Sequence, residues 1–321
     1  MAVAELLTDF PDGITAVDVL YVRPGAAASH LIKHGGRGAF VDTGTNSAVP
    51  NLLEALTARG LTPGQIDYLF LTHVHLDHAG GAGRLLQALP NARVVVHPRG
   101  ARHLSDPSKL IAGSIAVYGE EAFRELYGDL VPIPADRLLI AQEGMRLELA
   151  GRSFELVHTP GHALHHYALI DHDAHAIFTG DNFGISYREF DTRRGAFIFP
   201  TTTPVQFDPK AMHATIDRLM GYRPQAMYLT HYSRVTDLAR LAIDLHAAID
   251  AFVEIARRHH GKPGRGLLIR RDLMSWFNSA LDLHEYKGDA ARRYEFLEND
   301  VELNSQGLED WLDRSAVAGR G

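Results

Sequence analysis

Hydrophobic positions fall into two regimes along this chain. Over residues 14–235 they come as short apolar runs separated by turn residues, which is how strands and brief helices alternate. Residues 14–22 and 30–33 read as strands parted by a turn at Pro24-Gly25, and residues 38–42 as a third that ends in Asp42-Thr43-Gly44-Thr45. Val49, Leu52, Leu53 and Leu56 recur at helical spacing before Gly60, so residues 49–59 form a helix. A strand at 68–71 follows, then a helix that runs to about Leu89 and stops at Pro90, then a strand at 92–97. Early glycines at Gly80, Gly81 and Gly83 let that helix pack close to neighbouring chain. Residues 146–149 and 153–157 predict a hairpin around Ala150-Gly151-Arg152, and 167–170, 175–178 and 226–229 continue the strand pattern. Helices are expected at 209–221, 236–260, 267–284 and 289–313, the second broken off by Gly261-Lys262-Pro263-Gly264. The change of period divides the chain into a domain at 1–235 and a helical extension at 236–321.

Two irregular segments interrupt the pattern. Residues 105–135, with Tyr118, Phe123 and Tyr127, are expected to be a helical excursion that covers a pocket. The connection 182–208 carries Phe183, Tyr187, Arg188, Phe190, Phe197 and Phe199. A connection of this length is often functional, and its rings suggest a substrate wall alongside ordinary packing.

Candidate chemistry concentrates after the strand at 68–71, in Thr72-His73-Val74-His75-Leu76-Asp77-His78. His73 and His75 lie two apart, so in extended chain both side chains share one face. Asp77 and His78 follow where the chain turns into a helix. Imidazole nitrogens with carboxylate oxygens are the ligand set that suits zinc and related divalent metals. The stretch offers two ligands for one ion and two for another. The same arrangement, an apolar strand with a ligand-type residue at its end, recurs at His162, Asp181 and His231. Strand ends converging on one edge of a β core are a scaffold able to hold a metal site. Asp42 has two readings, a turn residue or a partner orienting a metal-bound histidine. His97 and His103 stand outside the dense cluster and are read as structural, and His259 and His260 beside Arg257 and Arg258 as a solvated basic helix end.

Composition trims the alternatives. With no cysteine among 321 residues, disulfides, thiolate metal sites and cysteine nucleophiles are excluded together, while 19 histidines leave imidazole as the transition-metal ligand. A formal net charge of −7 disfavours general affinity for nucleic acid or anionic membrane. No run approaches the roughly 18 apolar residues of a membrane span, and residues 1–13 lack the basic and apolar regions of a signal peptide, so the expected location is cytoplasmic.

In order and spacing, Thr72-His73-x-His75-x-Asp77-His78, Thr159-Pro160-Gly161-His162, Gly180-Asp181 and Thr230-His231 resemble the metallo-β-lactamase superfamily, and Asp42-Thr43-Gly44 resembles its early turn. The resemblance covers about residues 14–235. The C-terminal helices are similar to those of hydroxyacylglutathione hydrolases and some lactonases. The resemblance implies an α+β fold, a four-layer αββα sandwich with a helical C-terminal extension. It implies that His73, His75 and His162 hold one metal, that Asp77, His78 and His231 hold a second, and that Asp181 bridges both. Two divalent ions are expected, zinc first, with iron or manganese also suited to such donors. The implied activity is a dinuclear metallohydrolase in which a metal-bridging hydroxide cleaves a small ester, thioester or lactone. Asp77 would orient the hydroxide and pass a proton to the leaving group. Homoserine-lactone-type lactonases carry a Tyr where this chain has Gly184, with Tyr187 three positions on. Glutathione-binding relatives use basic residues for which Arg257, Arg258, Lys262 and Arg265 are available. Other readings of the same motifs are a mononuclear iron oxygenase resembling persulfide dioxygenases, a phosphodiesterase, and a catalytically silent binding protein. Expected partners are a small-molecule substrate and, through apolar surface on the C-terminal helices, a second copy in a homodimer, with no nucleic acid and no membrane.

Overall fold

The computed structural model describes residues 3–318, so the first two residues of the acidic N-terminal stretch and the last three of the C-terminal part lie outside the described residues. The chain folds as two compact units. The first comprises the described residues of Met1–His158 with His165–Gly180 and Pro224–Arg234, and the second Thr159–Leu164, Asp181–Arg223 and those of Val235–Gly321.

The first unit is built on two sheets. Strands β1 (Leu7–Phe10), β2 (Ile14–Asp18), β3 (Ala28–His34), β4 (Arg37–Val41), β5 (Ile66–Leu71), β6 (Arg93–Val96) and β7 (Leu138–Ile140) lie in chain order in one seven-stranded sheet. The pairs up to β3–β4 are antiparallel and those from β4–β5 onward are parallel. The second sheet has six strands, in the order β13-β12-β11-β10-β9-β8. These are β8 (Met145–Leu149), β9 (Arg152–His158), β10 (Tyr167–Asp171), β11 (Ala176–Gly180), β12 (Ala226–Leu229) and β13 (Ser233–Val235). Alternation along the strands sends one set of apolar side chains inward. Val41 and Phe70 of the first sheet pack in one cluster with Phe154, Tyr167, Leu169 and Phe178 of the second. The opposite face of the first sheet is covered by helices α1 (Val49–Ala58), α2 (Leu76–Ala79) and α3 (Ala82–Ala88). Leu52, Ala55 and Leu56 of α1 are fully buried there, the stripe expected from their spacing.

Three expectations change in detail. The strand predicted over 14–22 stops at Asp18, because the Asp18 carboxylate accepts the N–H groups of Leu20 and Gly25 and turns the chain, with Leu20 and Val22 at φ of 54° and 53°. β1 and β7 were not foreseen: LTDF and LLI are too short to show a period. The single helix expected up to Leu89 is two, α2 and α3, and the glycines at their junction do permit close approach. A Cβ on Gly81 would lie 2.7 Å from the Thr45 carbonyl oxygen, and one on Gly83 would lie 1.9 Å from that of Val131. Residues 98–127 form α4 (Pro98–Ser105), α5 (Ser108–Tyr118) and α6 (Glu120–Tyr127). Phe123 and Tyr127 of α6 cluster with Leu76 of α2, so this excursion covers the helix that carries Asp77 and His78.

The second unit contains α7 (Pro209–Gly221), α8 (Leu238–His259), α9 (Arg265–Leu283) and α10 (Ala290–Ala318). Here several rings of the segment 182–208 are packing elements, the ordinary packing that was part of the expectation for it. Phe183, Phe190 and Phe199 are wholly buried. Phe199 meets Phe277 of α9 edge-on at 5.0 Å between centroids, and Phe190 meets Phe296 of α10 at 5.7 Å. Tyr187 donates to Asp300 of α10 at 3.1 Å. His259 departs from the solvated helix end expected of it: it is buried, with Nε2 2.8 Å from Asp272 of α9. No helix among the described residues is long and apolar enough to cross a membrane.

One buried imidazole in the sandwich makes stability depend on pH. His30 of β3 packs edge-on against Phe178 and Tyr228, and burial lowers its pKa from 6.5 to about 3. It folds neutral, so its contribution is complete above pH 6.5 and is lost as pH falls towards 3. Replacing it, His30→Leu, should make the acid limb of a urea-derived stability profile shallower by one proton, about 1.4 kcal/mol per pH unit between those values. An unchanged slope would mean that His30 is solvated when folded.

Candidate metal centre

The ligand stretch starts where β5 ends. His73 is fully buried, and its Nε2 lies 2.9 Å from Nδ1 of His75. The two rings meet at 4.5 Å between centroids, the shared face predicted by their spacing. His75 also precedes α2, whose first turn carries Asp77 and His78. An Asp77 carboxylate oxygen lies 3.2 Å from Nε2 of His231 and 3.5 Å from Nε2 of His78. Asp77, His78 and His231 each offer one ligand atom within 4.8 Å of the others. In the second unit, His162 presents Nε2 at 3.4 Å from a carboxylate oxygen of Asp181.

What the other ring nitrogen does decides whether these histidines can bind a cation. His78 Nδ1 donates to Asp42 at 2.8 Å, and His231 Nδ1 donates to the Ala26 carbonyl at 2.8 Å. His162 Nδ1 lies 3.3 Å from the Thr201 carbonyl oxygen. A carbonyl or carboxylate oxygen only accepts, so it fixes the proton on Nδ1 and leaves the Nε2 lone pair for a ligand role. The Asn182 side chain holds the turn that carries His162: its amide oxygen accepts the N–H of His162, and its NH₂ donates to the Thr159 carbonyl. Gly161, at φ 144°, passes so close to Met212 that a Cβ there would lie 2.6 Å from the Met212 Cα, which is why the turn before His162 uses glycine.

Asp42 is a turn residue and also the acceptor facing His78 Nδ1. Its φ is 57°, as a turn residue's can be, and its buried carboxylate also accepts from the Thr72 N–H at 2.8 Å and from the hydroxyls of Thr72 and Thr230, each at 2.8 Å. His165 and His166 carried no expectation. The His166 ring lies 4.9 Å from that of His73, and the His165 ring lies 5.4 Å from that of His75. Their position three and four residues after His162 was the only available signal, and it does not distinguish a ligand from a packing residue. His97 behaves as expected of a structural residue. Its Nδ1 accepts the Arg99 N–H as a helix cap, and burial beside His158 lowers its pKa to about 4.

With this geometry in view, residues 22–231 match the model of the metallo-beta-lactamase superfamily, and the chain belongs to that superfamily. Among curated proteins it is 29% identical over 171 residues to the metallo-beta-lactamase fold-containing protein ST1585 of Sulfurisphaera tokodaii, covering 52% of this chain and 60% of that protein. It is 28% identical over 213 residues to a hydroxyacylglutathione hydrolase of Acidiphilium cryptum, covering 66% of each. The matches thus span somewhat less than two thirds of these relatives' lengths. The crystal structure of ST1585 has a TM-score of 0.62 at 21% identity and covers 93% of this chain and 98% of that one. A metallo-beta-lactamase family protein of Thermus thermophilus, TTHA1429, has a TM-score of 0.64 at 22% identity, with coverage of 95% and 94%. These likenesses establish the fold alone, the α+β sandwich with C-terminal helices implied by the motifs.

An Asp42→Asn substitution tests the orientation of His78. An amide NH₂ facing Nδ1 would favour the wrong tautomer, with the proton on Nε2. Divalent-ion affinity, measured by chelator competition, should fall by about 10- to 100-fold while the circular dichroism stays native. Equal affinity would show that Asp42 serves the turn only.

Proposed function

We propose that the protein is a metal-dependent hydrolase of a small-molecule ester, thioester or lactone. The observation that supports this best is the donor chemistry. The first unit offers Asp77, His78 and His231 as one group of potential ligands, with His73 and His75 side by side, and the second unit offers His162 and Asp181. Imidazoles with an oxygen acceptor behind Nδ1 at His78, His162 and His231, together with carboxylates and no thiolate, fit zinc or a similar divalent ion. In this reading His73, His75 and His162 would hold one ion, Asp77, His78 and His231 would hold another, and Asp181 would serve both. When bound, such ions supply Lewis acidity and lower the pKa of bound water to about 7.

The remaining work falls to the chain's own residues. Asp77 is partly exposed, unlike the buried His78 and His231 beside it, so its carboxylate can reach solvent or substrate. It acts as the acceptor that orients an attacking water and then returns a proton to the leaving oxygen or sulfur. Asp42 holds the His78 tautomer, and the Ala26 and Thr201 carbonyls do the same for His231 and His162. The substrate is a small molecule, and neither nucleic acid nor membrane is a partner.

Three of the features that would narrow the substrate are otherwise engaged. Tyr187, the candidate for the lactonase tyrosine, is held by Asp300. Arg265 bonds Glu309 and Asp313, and Arg257 lies over the Trp311 ring at 5.6 Å, so neither stands ready for a glutathione carboxylate. The class of activated carbonyl substrates is therefore the level at which the proposal stands.

Elemental analysis of the protein purified without added metal, alongside an ester, thioester and lactone panel, tests it. Two equivalents of a divalent metal with turnover are expected. One equivalent of iron, no hydrolysis and thiol-dependent oxygen uptake would replace the proposal with the oxygenase. In variants, Asp181→Ala should lose metal and activity together. Asp77→Asn should lower kcat by about 10²- to 10⁴-fold with the melting temperature little changed. Full activity in Asp77→Asn would remove it from the catalytic role.

A further inference from the structure

Within the second unit, a pair of histidines has the same chemistry as the metal ligands but belongs to neither group. His213 of α7 and His246 of α8 meet edge to edge, with their planes 9° apart, their centroids 4.9 Å apart and their Nδ1 atoms 2.5 Å from each other. Each helix carries the same short pattern, His213-x-x-x-Asp217 and His246-x-x-x-Asp250. A separation of four residues puts His and Asp on one helical face. The pairing is reciprocal. Nε2 of His213 lies 3.2 Å from Asp250 of the other helix, and Nε2 of His246 lies 3.2 Å from Asp217. Both imidazoles are partly exposed and both carboxylates largely so, which leaves the pair open to an ion from solvent.

These contacts fix the tautomers. An ionised carboxylate only accepts, so each ring carries its proton on Nε2. Both Nδ1 atoms then hold lone pairs aimed at one another, and in the neutral state no proton lies between them. Two lone pairs at 2.5 Å repel unless something positive joins them. Carboxylate behind imidazole, with the far nitrogen free, is also the arrangement that raises histidine basicity towards a metal.

We propose that His213 and His246 form a surface site for one divalent transition-metal ion, which bridges α7 and α8 through their Nδ1 atoms. Zinc–nitrogen bonds of about 2.0–2.1 Å place two tetrahedral ligand nitrogens about 3.3 Å apart. The pair has to open by less than about 1 Å, within reach of small rotations of partly exposed side chains. Asp217 and Asp250 hold the rings from behind, and water completes the coordination. The ion's role is structural, a clamp between two helices that stabilises the folded state by linkage.

The test uses the full chain with its principal metal centre already saturated, titrated with Zn²⁺ by calorimetry. The native protein should take up one further equivalent, and its melting temperature should rise with zinc concentration. The double variant H213Q/H246Q should lose both responses while keeping the metal content of the principal centre and any hydrolytic activity. Asp217→Asn with Asp250→Asn, which leaves both imidazoles in place, should weaken the additional binding by about 10- to 100-fold. It carries the test should the histidine variant fold poorly. Cu²⁺ in the same site should give an electron paramagnetic resonance spectrum with coupling to two nitrogens. No additional equivalent in the native protein, or the same uptake in both variants, overturns the proposal and leaves the pair as two rings sharing a proton. Failure here leaves the hydrolase reading untouched, since that rests on other residues and another readout.

Discussion

The carboxylate of Asp42 is the constraint on which the geometry of the first unit's candidate ligands depends. It is 1% exposed, in a φ that side-chain-bearing residues seldom adopt, and burying it without partners would cost several kcal/mol. Its partners come from three places in the chain: the end of β5 through Thr72, α2 through His78, and the end of β12 through Thr230. One acidic group thereby registers a strand of each sheet and the ligand helix against each other. Thr72 passes the order on, since its hydroxyl lies 3.2 Å from Nδ1 of His73. A Cβ at Gly180, the last residue of β11, would lie 2.8 Å from that hydroxyl, so glycine at the strand end is part of the same packing.

Such a network explains why several ligand-type residues can share a small buried volume. Each imidazole has two nitrogens, and one of them must be satisfied by the protein before the other can be offered to a cation. In this chain two of the satisfying groups are backbone carbonyls, those of Ala26 and Thr201, whose positions are set by the fold and not by side-chain rotamers. The excursion formed by α4, α5 and α6 adds an apolar cover over Leu76, which keeps the short helix α2 in place though it is too short to be stable by itself.

The strand-and-ligand pattern was legible because it is local. His73 and His75 share a face by period, residues 68–71 and 226–229 are continuous apolar runs, and the glycines after α2 mark a close approach that the structure contains. The superfamily followed from the order and spacing of the motifs. Less legible was whatever depends on distant partners. Phe190 and Phe199 read equally well as a substrate wall or as core, and only the positions of Phe296 and Phe277, far along the chain, decide for core. Tyr187 is decided by Asp300 in the same manner, and His259 by Asp272. β1 and β7 were missed since their sheet membership comes from pairing with β2 and β6, not from their own sequence.

Histidine illustrates the limit most sharply, because one residue type fills at least four roles in this chain. His30 is a neutral core ring, His97 a helix cap, His259 the partner of a carboxylate between two helices, and His78 a candidate ligand. Burial does not separate these roles, since all four are buried. The direction of the hydrogen bond at Nδ1 does separate two of them. His97 accepts at Nδ1, so its proton sits on Nε2 and that nitrogen has no lone pair to offer. His78 donates at Nδ1, and its Nε2 is the basic atom. By the same criterion His213 and His246 are turned the other way round, protonated at Nε2 and basic at Nδ1. The criterion needs only the acceptor on one nitrogen to assign the chemistry of the other. It therefore applies equally to the candidate ligands that the motifs announced and to a pair of rings that no motif pointed out.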